Sequence, residues 1–243
     1  MTKWHEGRVI ENRRWTDALF SLRVEAPRLK FEAGQFVRIA VDERVARPFS
    51  FVNPPEDPVL EFYGIVVPEG PLSPRLMELR AGDRLLVAPN PAGFLVMSEV
   101  PDADTLWLVS TGTGIAPFLS ILRTEAPWKR FRNVVLVHAV RHARELVYRE
   151  LIGQIQREHE NVFRDVTFVS REAAPGSLAG RIPAAIRDGR LETAAGLPLN
   201  EGSHLMLCGN PDMLKDASGA LAERGLRKHR RRTPGHISVE SFW

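Results

Sequence analysis

The segment Thr111–Phe118 (Thr-Gly-Thr-Gly-Ile-Ala-Pro-Phe) has the composition of a turn that binds phosphate, and it follows the apolar run Leu106–Val109. Glycines such as Gly112 and Gly114 let the backbone approach an anion, and a helix start presents free N–H groups. Pro117 stands where the fingerprint Gly-x-Gly-x-x-Gly needs a third glycine, so this is not the standard dinucleotide signature. Alone, the segment fits a phosphate site and an ordinary connecting loop equally well.

A second motif combines a cation, an aromatic ring and a hydroxyl on one expected strand: Arg47, Pro48, Phe49 and Ser50. Such a set can hold a pyrophosphate, stack on a flat ring and bond the ring edge. Further along, Tyr63 and the expected helix start Leu72–Ser73 would add an aromatic and another anion-binding terminus. Each of these features, taken separately, is also typical of ordinary structure.

A third motif, Cys208-Gly209-Asn210-Pro211-Asp212, again joins an apolar strand to a helix. Ligands of open parallel sheets lie beyond the carboxyl ends of the strands, so residues 111–114 and 208–212 are expected to face one cleft. Cys208 would lie at its lip, although a free cysteine at a strand end is most often a small buried hydrophobe.

Cations follow two further expected strands, which end in His138–Arg141 and Ser170–Arg171, and Arg181 comes ten residues later. An NAD site usually places an acid about 20 residues after its glycines to bind the ribose 2′-hydroxyl. Arginines and a hydroxyl instead suit a 2′-phosphate and favour NADPH, if they are more than surface charge.

These groups require two kinds of scaffold. In the first hundred residues, apolar and polar side chains alternate over short stretches such as Val37–Val41 and Leu60–Ile65, which Pro and Gly separate. This pattern predicts an antiparallel β-barrel. One helix is expected there, at Leu72–Leu79.

From Thr105 onward, apolar strands alternate with helices, which predicts a parallel α/β sheet of Rossmann-like type. We place the domain boundary in Ser98–Asp104, giving domains 1–100 and 101–243. The expected strands are Leu106–Ser110, Val134–His138, Val166–Ser170 and His204–Cys208, and the expected helices are Ala116–Thr124, Arg144–Arg157, Ile182–Asp188 and Asp212–Arg224.

Composition limits the remaining possibilities. The chain has 243 residues, 44% of them hydrophobic, and lacks both a membrane-spanning apolar run and a signal peptide, so a cytoplasmic protein with no membrane association is expected. The single cysteine excludes an iron–sulfur cluster held by four thiolates of this chain, and no metal site is predicted. Basic residues crowd Lys228–Arg232 without interleaved aromatics, so nucleic acid is not indicated; a solvated loop is the simpler interpretation.

Taken in order, the three motifs and the end Val239–Trp243 resemble the ferredoxin–NADP reductase family, and specifically its bacterial ferredoxin or flavodoxin reductases, which share the run Gly176–Pro183 and a terminal aromatic pair. The resemblance covers the whole chain. It implies a Greek-key barrel that binds FAD, an α/β domain that binds NADP(H), and C-terminal residues that return to the flavin.

Carried over by motif, the resemblance implies three sets of residues. The FAD set is Arg47, Pro48, Phe49, Ser50, Tyr63, Pro71, Leu72, Ser73, Thr113, Phe242 and Trp243. The NADP set is Gly112, Gly114, Val140, Arg141, Ser170, Arg171, Arg181, Cys208, Gly209, Asn210 and Asp212. The catalytic set is Ser50 near flavin N5, Cys208 against the nicotinamide, and Glu240, which is as readily a solvated carboxylate near the chain end.

The implied activity is hydride transfer from NADPH to flavin N5, followed by release of single electrons to ferredoxin or flavodoxin, acidic carriers that Lys228–Arg232 would attract. The family usually has Arg-x-Tyr-Ser, whereas this chain has Phe49 in place of the tyrosine. The missing hydroxyl removes one contact, so we expect weaker FAD retention. Two alternatives stay open: a reductase that serves an oxygenase through a separate ferredoxin, and a non-enzymatic flavin or nucleotide sensor.

Overall fold

The computed structural model describes residues 3–241 of the chain. Contacts within this range group into two compact units. The barrel unit comprises the residues up to Val96 together with Ala116–Thr124, and the α/β unit comprises Met97–Ile115 and the residues from Glu125 onward.

The barrel unit is built on six antiparallel strands: β1 His5–Arg14, β2 Leu19–Glu25, β3 Phe36–Ala40, β4 Ala46–Ser50, β5 Val59–Ile65 and β6 Arg84–Val87. Their order in the sheet is β4-β3-β6-β1-β2-β5. A bridge between Phe51 and Phe62 joins the two outer strands, and Val52 N–H donates to the Glu61 carbonyl at 2.9 Å. The sheet therefore closes on itself, as expected for a barrel.

Alternating burial explains why these segments are strands. Leu22 and Val24 are fully buried around exposed Arg23, and Val37 and Ile39 flank exposed Arg38 in the same way. The period of two turns one side of each strand to the interior. β1 was not expected from the sequence because only Gly7 and Val9 are buried among its ten residues.

Two helices belong to the barrel unit: α1 Ser73–Met77 and α2 Ala116–Leu122. α2 and the residue after it hold the strand ends that close the barrel: Ser120 Oγ donates to the Asn53 carbonyl at 2.7 Å, and Arg123 donates to the Val52 carbonyl at 3.2 Å. Asn53 is fully buried, and its Oδ1 accepts from Glu61 N–H at 2.8 Å. These bonds satisfy backbone groups that closure would otherwise leave buried and unpaired.

The α/β unit contains a parallel sheet of six strands: β7 Thr105–Thr111, β8 Asn133–Val140, β9 Phe163–Val169, β10 Leu178–Ala179, β11 Ser203–Gly209 and β12 Ile237–Ser241. Their order is β10-β9-β8-β7-β11-β12. The helices of the unit are α3 Ala126–Arg130, α4 Arg149–Glu158, α5 Ile182–Arg187, α6 Arg190–Ala195 and α7 Pro211–Ala222. The predicted fold class, an antiparallel barrel followed by a Rossmann-like α/β domain, is confirmed.

One helix begins later than expected. α4 starts at Arg149 rather than Arg144, because Tyr148 adopts a left-handed backbone with φ of 59° and interrupts the helical path. The preceding residues Ala143–Glu145 form a separate 3₁₀ turn, in which the Glu145 carboxylate caps the backbone. Within residues 3–241 no helix combines the length and apolarity that a membrane span requires.

Candidate functional site

The Arg-Pro-Phe-Ser motif occupies the end of β4, in the barrel unit. Arg47 is exposed, whereas Ser50 is only 2% exposed. The Ser50 hydroxyl has no hydrogen-bond partner among the described residues. Buried polar atoms almost always have a partner, so an orphaned hydroxyl at this point fits a bound group that supplies one.

The aromatic residue of this motif is held by a glycine on β5. The Phe49 ring packs edge-on against Phe62, with centroids 6.5 Å apart. A Cβ atom at Gly64 would lie 2.9 Å from Phe49 Cε1 and 2.7 Å from Phe20 Cζ, so a larger residue would displace both rings. The neighbouring Tyr63 is buried.

The predicted anion-binding helix start at Leu72–Ser73 is short. α1 has five residues, and its first residue, Ser73, does not cap it. Instead, Ser73 Oγ accepts from Val67 N–H at 2.9 Å and so braces the preceding loop. Pro71 is exposed and Leu72 is buried in the barrel core.

In the α/β unit, the structure brings the other two motifs together. Gly112 opens a 3₁₀ turn after β7 with a positive φ of 53°. A Cβ atom at Gly114 would lie 2.6 Å from the Cys208 carbonyl oxygen, and one at Gly209 would lie 2.2 Å from Thr111 Oγ1. Only glycine fits at either position. Backbone therefore packs directly on backbone where β7 and β11 end.

The residues after Gly209 stabilise this junction. Asn210 N–H donates to Thr111 Oγ1 at 2.9 Å. Its side chain caps α7, because Oδ1 accepts from Asp212 N–H at 2.9 Å and from Met213 N–H at 3.2 Å. Asn210 thus has a structural reason to be present, and Asp212 is exposed on the first turn of the helix.

Cys208 is fully buried on β11, in register with Ser110 on one side and Glu240 on the other. Burial, with a further contribution from the charge of Glu240, raises the pKa of the Cys208 thiol well above its ordinary value. The sulfur is therefore a neutral thiol and not a nucleophilic thiolate. Glu240 is half-buried, and Phe242 and Trp243 lie outside the described residues.

His138 is a site residue that sequence reasoning missed. It is fully buried on β8, and its Nε2 lies 3.0 Å from the Gly112 carbonyl oxygen. Burial, assisted by the positive charge of Arg149, lowers the pKa of His138 to about 4. The imidazole is therefore neutral, and its Nε2–H donates to the first glycine of the turn. A histidine inside the apolar run 134–140 was the available signal.

His138 belongs to a row of polar residues that crosses the sheet just before its carboxyl edge. Strand register aligns five of its members in this order: Glu240, Cys208, Ser110, His138 and Thr167. A hydrogen bond of 2.7 Å between the hydroxyls of Thr167 and Ser177 adds a sixth. These side chains supply hydrogen-bonding groups just below the strand ends, as His138 does for the Gly112 carbonyl.

The predicted arginines gather at the other half of the same edge. Val140 is paired with Val169, and Val169 with Ala179, so the residues that follow these strands are neighbours. Arg171 N–H donates to the Arg141 carbonyl at 3.0 Å, and Ser170 N–H to that of Val140 at 3.1 Å.

The guanidinium groups of Arg141, Arg171 and Arg181 are exposed. None makes a side-chain hydrogen bond or ion pair that the structure records within residues 3–241. Two acids of the same loops, Glu145 and Glu172, accept from backbone N–H groups instead. An edge with free cations of this kind can bind a multiply charged anion such as a phosphate ester.

Comparison with known proteins gives concordant results. Residues 108–219 match the family described as the oxidoreductase NAD-binding domain. The chain is 51% identical over 248 aligned residues to the flavodoxin/ferredoxin–NADP reductase of Shigella flexneri and 50% identical to that of Escherichia coli K12, with full coverage of both chains in each case. A crystal structure of a ferredoxin NADP⁺ reductase from Neisseria gonorrhoeae with bound FAD and NADP superimposes with a TM-score of 0.95, at 32% identity and full coverage of both chains.

Proposed function

Since the chain belongs to the flavodoxin/ferredoxin–NADP reductase family, we propose that it transfers electrons between NADPH and a one-electron carrier, ferredoxin or flavodoxin, by means of bound FAD. The observation that carries the proposal is the similarity to named reductases along the entire chain, at up to 51% identity. The orphaned Ser50 hydroxyl and the unpaired arginines support it, because each fits a group that the two cofactors possess.

The residues proposed to hold FAD are, on the barrel unit, those of the β4 motif with Tyr63, Pro71, Leu72 and Ser73. The resemblance to the family adds Thr113 of the α/β unit and Phe242 and Trp243, of which the last two lie outside the described residues. The exposed Arg47 guanidinium suits a pyrophosphate, and the Phe49 ring suits a flat ring system. When bound, FAD supplies the conversion of a two-electron donor into a one-electron source. The protein's part is to bind, orient and exclude water.

On the α/β unit, we assign the pyrophosphate of NADP(H) to the backbone N–H groups of the Gly112–Gly114 turn. The 2′-phosphate is assigned to Arg141, Ser170, Arg171 and Arg181. Three cations favour a phosphate over a ribose hydroxyl, and each charge-assisted bond contributes about 1.5–3 kcal/mol. Two such bonds give a preference for NADPH over NADH of about a hundredfold or more. The Ser170 hydroxyl, which donates to the Val140 carbonyl at 3.2 Å, would have to turn to join them.

The catalytic residues have distinct proposed tasks. The Ser50 hydroxyl, which has no partner among the described residues, would form a hydrogen bond with bound flavin. We propose that Cys208 lies against the nicotinamide ring as a neutral thiol, because the burial that raises its pKa disfavours the thiolate. Glu240, beside Cys208 in register, supplies the carboxylate of this cluster.

Lys228–Arg232 is the proposed attraction surface for an acidic carrier. Arg230 and Thr233 exchange two backbone hydrogen bonds of 3.0 and 2.8 Å, which makes the segment a tight turn. Arg231 Nε donates to Glu99 Oε2 at 2.9 Å, which holds the turn against the residues around Glu99 in the same α/β unit. Lys228, Arg230 and Arg232 stay exposed. Attraction of this kind weakens with salt.

The decisive experiment mixes the purified protein anaerobically with NADPH and records the flavin absorbance, then adds ferredoxin or flavodoxin from the same organism. We expect rapid bleaching and then reoxidation by the carrier. Ser50→Val should slow bleaching while FAD stays bound, and Ser50→Thr, which keeps the hydroxyl, should retain most of the rate. A protein that is colourless and takes up no FAD would overturn the proposal.

The carrier surface has its own test. Reversing the charge of Arg230 and Arg232 to Glu should lower kcat/KM for the carrier and flatten its dependence on ionic strength, with NADPH-dependent bleaching retained. Equal salt dependence in the variant and the wild type would contradict the assignment of this surface.

A further inference from the structure

A carboxylate immediately follows one of the arginines assigned to the 2′-phosphate. We propose that Glu172 is a positioning residue for NADP(H): it ties the loop after β8 to the loop after β9 and so sets the separation of Arg141 and Arg171. The inference rests on the proposed function of this edge, because it concerns how the arginines are placed for their phosphate.

The geometry of Glu172 carries the inference. Its Oε1 accepts from Ala143 N–H at 2.6 Å, and its Oε2 lies 3.3 Å from His142 Nδ1. Both partners are in the loop that begins with Arg141, about thirty residues earlier in the chain. The side chain therefore bridges the two loops whose first cations are the proposed phosphate ligands.

Glu145 organises the same loop from within. Its Oε2 accepts from Arg141 N–H at 2.9 Å and from His142 N–H at 3.2 Å. The backbone that carries Arg141 is thus fixed by Glu145, and Glu172 fixes the next two residues to the neighbouring loop. Arg171 N–H also donates to the Arg141 carbonyl at 3.0 Å, which completes the connection.

The contacts of Glu172 also favour its ionised form. The Ala143 N–H, followed by His142 and with a contribution from the charge of Arg144, holds the pKa of Glu172 below its ordinary value. The carboxylate is therefore ionised, and its negative charge stands near a site proposed for a phosphate. Its charge and its bracing contacts should then have opposite effects on NADP(H).

Because the two effects oppose each other, the direction of the change in NADP⁺ affinity on removing the carboxylate tests the inference. If charge alone mattered, removing the carboxylate would strengthen NADP⁺ binding, because repulsion of the 2′-phosphate would fall. If the brace matters, removal weakens NADP⁺ binding, because the arginines lose their fixed separation. NAD⁺ lacks the 2′-phosphate and should respond much less in either case.

The experiment measures the Kd of NADP⁺ and of NAD⁺ for the FAD-loaded protein by calorimetry. For Glu172→Ala we expect the Kd for NADP⁺ to rise about tenfold or more, as for loss of a hydrogen bond to a charged group, with a smaller change for NAD⁺. Glu172→Gln, which can still accept from Ala143, should fall between Ala and wild type. Glu172→Asp keeps the charge but lacks the reach, so it should weaken NADP⁺ binding at least as much as Ala.

The matched control is Glu201→Gln, which removes the same charge from an exposed turn before β11, at the opposite edge of the sheet. It should leave both Kd values unchanged. FAD content and circular dichroism of each variant verify folding.

Tighter or unchanged NADP⁺ binding in Glu172→Ala, or equal weakening of NADP⁺ and NAD⁺, overturns the brace. Arg171→Gln separates the two proposals. If it weakens NADP⁺ and Glu172→Ala does not, only the brace fails. If neither affects NADP⁺, the assignment of the phosphate to this edge fails as well.

Discussion

Two buried histidines make the α/β unit sensitive to acid by a predictable amount. Burial lowers the pKa of His138 and of His204 to about 4, from an ordinary value of 6.5. For His138 the charge of Arg149 adds to this effect, and for His204 the charges of His229, His236 and Arg130 do so. In the folded protein both imidazoles are therefore harder to protonate than in the unfolded chain.

Proton linkage gives the sign and the size of the change in the free energy of unfolding with pH. The unfolded state binds more protons once the pH falls below 6.5, so this part of the stability is complete above that pH and is lost as the pH falls towards 4. Between about pH 7.5 and about pH 5, each histidine should remove about 2 kcal/mol from the free energy of unfolding. The two together should remove about 4 kcal/mol.

Urea unfolding of the FAD-loaded protein, followed by far-ultraviolet circular dichroism at both pH values, measures this loss. In His138→Phe the imidazole is replaced by a ring that cannot titrate. The variant lacks a donor to the Gly112 carbonyl and should be less stable at about pH 7.5, but it should lose about 2 kcal/mol less than wild type on acidification.

Comparing the change between two pH values isolates titration from the cost of the missing hydrogen bond. His204→Phe should show a relief of similar size, and the double variant should show the sum. An acid-induced loss that is equal in wild type and both single variants would refute the conclusion that these imidazoles are buried and neutral.

Three further substitutions are expected to have measurable effects. Gly114→Ala would place a carbon atom 2.6 Å from the Cys208 carbonyl oxygen, so it should cost about 1–3 kcal/mol of stability in urea unfolding and raise the Kd for NADP⁺; unchanged values would show that the junction can relax. Phe49→Tyr restores a hydroxyl and should tighten FAD binding about three- to tenfold in a fluorescence titration; an unchanged Kd would contradict a hydroxyl contact to FAD at this position. Ser120→Ala removes the 2.7 Å bond to the Asn53 carbonyl and should lower the urea midpoint by an amount equivalent to about 1–3 kcal/mol, whereas an unchanged midpoint would mean that another donor replaces it.

Hydrophobic periodicity was sufficient to predict the type of fold. Strands with one buried face, such as β3 and β5, and buried parallel strands, such as β7 and β11, were located to within one or two residues. β1 escaped because its side chains are mostly exposed, and the start of α4 was misplaced because no local pattern signals the left-handed conformation of Tyr148. Both misses arise from backbone conformations that only tertiary contacts impose.

The candidate site divides in the same way. Arg141 and Arg171 were identified because strand ends and charge are visible in the sequence. The roles of His138 and Glu172 were not visible, because they depend on single contacts, to Gly112 and to Ala143, with residues about thirty positions away. The role of a buried polar group depends on its hydrogen-bond partner, and that partner is known only once the pairing of the strands is known.

Helix α2 has a consequence for how this protein can be divided. It follows the glycine turn of the α/β unit in sequence, yet its Ser120 and the following Arg123 complete the hydrogen bonds of the barrel. No single cut of the chain therefore separates the two units, since residues 1–96 alone would leave the Val52 and Asn53 carbonyls without these donors and residues 1–124 would carry part of the α/β unit with them. Recombination between related reductases would exchange a working barrel only if the segment 116–124 travelled with it, so the two halves are interleaved rather than modular.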